Sequence, residues 1–148
     1  PDGGAGRFPG GRVIDHDLEL VFCASLKADD HLSGISFFSG LDDENHKLPA
    51  ITIVSKSESL AGSADVFRSE VEIRVETHAH DTQPQEHAAI VGRIREVLAA
   101  KSDLLAALNA GDALHVFGYA ISGSSQDANE EKFLTTITLK AGCRTSAN

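Results

Sequence analysis

The sequence predicts an α+β fold: one antiparallel or mixed sheet with helices packed on one face, in the order α-β-β-β-α-β-β. Three observations carry this. Val71, Ile73, Val75 and Thr77 alternate with Glu70, Glu72, Arg74, Glu76 and His78, the period of a sheet buried on one side only. Ile90, Val91, Ile94, Val97 and Leu98 form one helical stripe. That helix, spanning 84–101, follows two extended segments, 48–55 and 66–79, so a single layer of sheet receives a helical cover on one side.

Each element has a local reason. Residues 1–12 hold five glycines, two prolines and the basic pair Arg7 and Arg12 against one acid, which predicts a mobile or docked arm. Ile14, Leu18, Val21, Phe22 and Leu26 then give a first helical stripe. Asp15, Asp17 and Glu19 are placed in its first turns, where the helix dipole favours acids. Gly34 marks the exit and residues 35–38 read as a short strand. Residues 41–47 form an acidic loop, and Pro49 opens the next strand, where its missing amide is tolerated. Ile51 and Ile53 share a face of that strand.

Thr82 and Gln85 have capping-box spacing around Pro84, and Ser102 or Asp103 can recap the chain into a short helix holding Leu104, Leu105 and Leu108, ended by Gly111. The last two strands are expected at 113–122 and 132–141, with Phe133, Thr135, Ile137 and Leu139 on one face. The connections 55–66 and 123–131 read as long polar loops. The predicted core is Leu18, Phe22, Ile53, Val71, Ile73, Val75, Ile94, Leu98 and Ile137.

With 148 residues the chain fits one domain, 13–148 after the arm, burying roughly 70% of its unfolded surface. A formal charge of −9 argues against grip on nucleic acid, which needs a concentrated basic face. No run of 18 apolar residues predicts a membrane span, and residues 1–11 do not read as a secretory signal. With no methionine, the initiator has been removed or the numbering begins inside a longer product. Cys23 and Cys143 lie far apart, one in the first helix and one just past the last strand, and read as small apolar side chains rather than a disulfide.

Chemistry-bearing residue types are present without a pattern that uses them. His78, His80, Asp81, Glu86 and His87 cluster at a strand-to-helix turn, but their spacing matches no zinc motif, so no metal is expected there. Glu70, Glu72 and Glu76 follow strand alternation, which reads as a charged face rather than general acid–base machinery. No phosphate-binding loop or nucleophile elbow occurs, and no family signature surrounds either cysteine. The residues support no enzyme and imply no cofactor.

Gly34-Ile35-Ser36-Phe37-Phe38, the stretch Leu48-Pro49-Ala50-Ile51-Thr52-Ile53-Val54, and residues 70–82 running into Gln85-Glu86-His87 resemble, in that order, the tail terminator and tail-completion proteins of tailed bacteriophages. The likeness spans roughly 14–141 and rests on packing and capping signals. It implies a structural virion protein, a hexameric homo-oligomeric ring at the head-proximal end of the tail tube, assembled in the host cytoplasm. It implies contact with its own copies, with the tube protein and with the head-completion or stopper protein. DNA would pass through the lumen only as cargo, without catalysis, cofactor or membrane. Another neck protein of the virion, a non-viral α+β adaptor or ligand-binding module, and a hydrolase or metalloenzyme are the alternatives. The interface is expected on the arm (Arg7, Arg12), the loop 55–66 (Ser57, Glu58, Leu60, Asp65), the charged strand face (Glu70, Glu72, Glu76) and the loop 123–131 (Gln126, Asp127, Glu130).

Overall fold

Residues 66–78 form the middle of the molecule because their alternation leaves one apolar face to cover. A computed structural model describes residues 9–40, 47–60, 65–79, 84–111 and 114–145, the side chains of 9–13 excepted. The elements are α1 (Pro9–Lys27), β1 (Ser36–Ser39), β2 (Ala50–Ser59), β3 (Val66–His78), α2 (Pro84–Ala99), α3 (Lys101–Leu108), β4 (Leu114–Ala128) and β5 (Lys132–Thr145). The five strands make one mixed sheet in the order β1-β2-β3-β5-β4. β1 runs parallel to β2, and the other neighbours are antiparallel. The fold is α+β as the residue periods predict, with α3 as a separate short helix.

The inner face of the sheet and the apolar stripes of the helices make one core. Every residue of the predicted core is buried, from Leu18 and Phe22 on α1 through Ile53, Val71, Ile73 and Val75 to Ile94, Leu98 and Ile137. Tyr119 of β4 ties three elements together. Its ring meets Phe22 edge-on at 6.5 Å, and its hydroxyl donates to the Leu98 carbonyl at 2.7 Å near the end of α2. Burial raises the Tyr119 pKa, which keeps the donor protonated. From α2, Arg93 donates to Asp29 in the turns after α1, at 2.9 Å through Nε and 2.5 Å through Nη2. This two-pronged geometry fixes orientation as well as charge. It holds Asp29 below the ordinary carboxylate range.

Several boundaries differ from those the sequence predicts. α1 begins at Pro9, so residues 9–12, including Arg12, are helical rather than part of an arm. Proline is preorganised for a first helical position, where its missing amide costs nothing. Asp15, Asp17 and Glu19 therefore lie beyond the first turn, which holds no acid. α3 starts after Ala100 with no side-chain cap, so neither Ser102 nor Asp103 caps it. Asn109 rather than Gly111 is its C-cap residue. Thr82, and with it the expected capping box, lies outside the described residues. Cys143 lies within β5, buried, and both cysteines are free thiols.

The largest correction concerns the two expected loops. Residues 55–59 continue β2 and residues 123–128 continue β4, leaving short connections at 60–65 and 129–131. Cross-strand chemistry explains the first: Lys56 faces Glu70, Glu58 faces Arg68, and Ser57 and Ser69 hydroxyls meet at 2.6 Å. In the second, the side chain of Asn129 accepts from the amides of Glu131 and Lys132 at 2.7 and 2.8 Å, closing a tight turn. Residues 55–59 and 124–128 are mostly polar but hold neither glycine nor proline, and polarity alone is no sign of a loop.

Ile73→Ala, at the centre of the central strand, should cost about 2–4 kcal/mol through cavity formation. Ile94→Ala on α2 should cost a similar amount. Chemical denaturation followed by circular dichroism checks both, and an unchanged midpoint for either would contradict the assigned core.

Candidate functional site

The polar outer face of the sheet follows from the same alternation as the core. On β3 it presents Glu70, Glu72, Arg74, Glu76 and His78. Arg74 donates to Glu72 Oε1 at 3.1 Å through Nε and 2.7 Å through Nη2. Lys132 of β5 donates to Glu76 at 2.9 Å. Glu70 lies in register between Lys56 and Lys140. These pairs are partly buried on a solvent-facing sheet surface, and surface ion pairs contribute about 0–1 kcal/mol each, so the face is an ordered charged surface rather than the main source of stability. Phe117 extends the outer face onto β4, half-exposed, beside His115 and over Gly142.

The expected interface residues fall into separate places. Ser57, Glu58, Leu60 and Asp65 lie at the β2–β3 hairpin end. There the Leu60 amide donates to the Val66 carbonyl at 2.9 Å, and the Asp65 carbonyl accepts from Thr145 at 3.0 Å. Gln126, Asp127 and Glu130 lie at the β4–β5 hairpin end, all exposed. β3 begins beside the first end and finishes beside the second, with His78 opposite Lys132. A strand of that length is about 40 Å long at roughly 3.3 Å per residue. The two groups therefore occupy opposite poles, with Glu70, Glu72 and Glu76 between them. Arg12 is on α1, and Arg7 lies outside the described residues.

Sequence reasoning missed how the sheet edges are finished. Beyond Ser39 the outer side of β2 has no strand neighbour among the described residues, and α1 supplies a substitute. The Ser55 amide donates to the buried carboxylate of Glu19 at 2.8 Å, and the Ser55 hydroxyl donates to Asp15 at 3.1 Å. Asn109 does the same for β4: its side-chain amide donates to the Val116 carbonyl at 3.0 Å, and its carbonyl oxygen accepts from the Val116 amide at 2.6 Å. Glu19 carried one readable signal, an acid adjoining Leu18 and three residues before Phe22 at the border of an apolar stripe. Gly40, at φ 79°, turns the chain away from β1 just beyond this point, a conformation that favours glycine.

A cleft of about 630 Å³ opens between α2 and the distal β4–β5 hairpin, lined among others by His87, Val91, Arg95, Gln126 and Phe133. His87 is fastened rather than free. Its Nδ1 pairs with the Thr77 hydroxyl and its Nε2 with the Thr135 hydroxyl, both at 2.8 Å, so the ring bridges β3 and β5 to α2. Both ring nitrogens are thereby engaged. His78 is exposed, and His80 and Asp81 lie outside the described residues. No group of three or more metal-ligating side chains occurs among the described residues. No helix among them is long and apolar enough to cross a membrane.

No protein-family model matches this sequence, and no curated protein matches it.

Burial lowers the His87 pKa below its ordinary 6.5, so the unfolded chain binds the proton more readily than the fold. This contribution to stability is complete above pH 6.5 and declines as pH falls through the folded pKa. His87→Gln should flatten that segment of the stability profile, measured by denaturation between pH 7.5 and 5. An identical pH slope in both proteins would refute the assignment.

Proposed function

We propose that this chain is a structural assembly protein of a phage virion, a tail terminator whose copies form a ring, with six as the expected number. One observation carries the reading: two polar hairpin ends stand at opposite poles of one rigid sheet, joined by an ordered charged face. A ring subunit that meets the tail tube on one side and a head-completion protein on the other needs that layout. The order of packing and capping signals in the sequence supports the same reading. Both poles are built from extended, paired strands, and Asn129 closes the β4–β5 end in a tight turn, which favours a shape set before a partner arrives. Preorganisation of this kind lowers the entropic cost of docking relative to flexible loops. A net charge of −9 suits a lumen through which DNA slides, because counterion release supplies no grip there.

The cleft between α2 and the β4–β5 hairpin favours one other reading, an α+β adaptor that binds a ligand or peptide. The two differ in assembly state. Native mass spectrometry of the purified chain should give a closed homo-oligomer, with six copies expected, and negative-stain images should show rings. Adding it to the tail-tube protein encoded with it should stop tube growth. A strict monomer at tens of micromolar that leaves tube polymerisation unaffected would overturn the proposal.

A further inference from the structure

We infer that one copy's β4 adds, as an antiparallel strand, to the β1 edge of the next copy, so that the ring is closed by continuous sheet. This rests on the ring reading above and names the contact that would build it.

Strand register is the first support. Phe38, Thr52, Arg74, Thr136 and Ser125 form one row across the sheet, from the outer strand β1 to the outer strand β4. The rows on either side begin at Phe37 and Ser39 and end at Gln126 and Ser124. A rotation about an axis along the strands carries the end of each row to the start of the same row in the next copy. Successive reversals through β2, β3, β5 and β4 leave β4 antiparallel to β1. The copies therefore meet at one height, with the sheet faces preserved and in the pairing direction that antiparallel ladders require.

Hydrogen-bond phase is the second. Ser36 donates to the Pro49 carbonyl and Gly40 to the Ile53 carbonyl, so alternation turns the backbone groups of Phe37 and Ser39 away from β2. At the other edge, Asn129 donates to the Lys132 carbonyl, which sets the hairpin phase and turns those of Ser124 and Gln126 away from β5. The outward groups thus fall in matching rows, Phe37 with Gln126 and Ser39 with Ser124. They form the two hydrogen-bonded pairs of an antiparallel ladder, with Phe38 and Ser125 as the non-bonded pair between them.

The third support is how the rest of each edge is treated. Glu19 occupies the outward amide of Ser55, and Asn109 occupies that of Val116. No described residue hydrogen-bonds the outward backbone groups of Phe37, Ser39, Ser124 or Gln126. Exposed edges are ordinarily blunted by charge, proline or bulges. Residues 118–126 contain neither charge nor proline, and both register shifts of β4 precede Ser124. The open stretches of the two edges are the ones that face each other in the ring.

Phe38→Cys with Ser125→Cys tests the contact. Non-hydrogen-bonded partners stand about 4.5 Å apart at Cα, within disulfide reach. Mild oxidation of the double variant should give a ladder of covalent oligomers on non-reducing gels, absent from either single variant, which also carries the native Cys23 and Cys143. Gln126→Pro should stay folded by circular dichroism, because its amide meets no acceptor among the described residues, yet lose the oligomer at concentrations where the unaltered chain assembles. A closed oligomer that gives no ladder and survives Gln126→Pro overturns this contact while leaving the ring reading intact. A monomer for the unaltered chain overturns both.

Discussion

The one-sided burial of β3 is the constraint from which the rest of the molecule follows. It is the central strand of five, so its inward Val71, Ile73, Val75 and Thr77 set which face every neighbour must present. A slip of one residue in either adjacent ladder would send an apolar row into water and a row of glutamates into the core. That penalty fixes the register of β2 and β5, which in turn fixes the row in which each edge residue stands. α1 and α2 then cover the one apolar face available.

A sheet covered on one side still has two edges, and here they are finished by side chains borrowed from helices. Glu19 is buried yet fully justified, because its carboxylate accepts the Ser55 amide where β1 has ended. A buried carboxylate without such a donor would carry a large desolvation cost. Asn109 offers both a donor and an acceptor, so it imitates one peptide of a strand beside Val116. These caps limit where another chain can add. They turn two long edges into short open stretches with a defined position and phase.

The poles connect this architecture to the proposed function. Hairpins that continue the ladders of the sheet hold Ser57 and Glu58 at one end and Gln126 and Asp127 at the other as fixed geometry. His87 braces the second end by joining Thr77 and Thr135 to α2. Under the proposed function, a subunit that seats a partner at each pole gains from paired strands there.

Periodicity in the sequence by itself determined the fold class, the element order and the buried positions. Ile73 or Ile94 lies inward because the strand and helix repeats leave no other face for it. The polar face of Glu70, Glu72 and Glu76 was legible for the same reason. Only the tertiary structure decided that residues 55–59 and 123–128 are strand, since their pairing depends on partners on the next strand, from Ser55 with Val71 to Ala128 with Phe133, and not on local propensity. It alone decided that Asp15 and Glu19 serve β2 rather than the helix dipole, and that Asn109 completes β4. Polar residues carry no period that reveals their partners. Which amide a carboxylate or carboxamide will meet is set by the packing of the apolar residues around it.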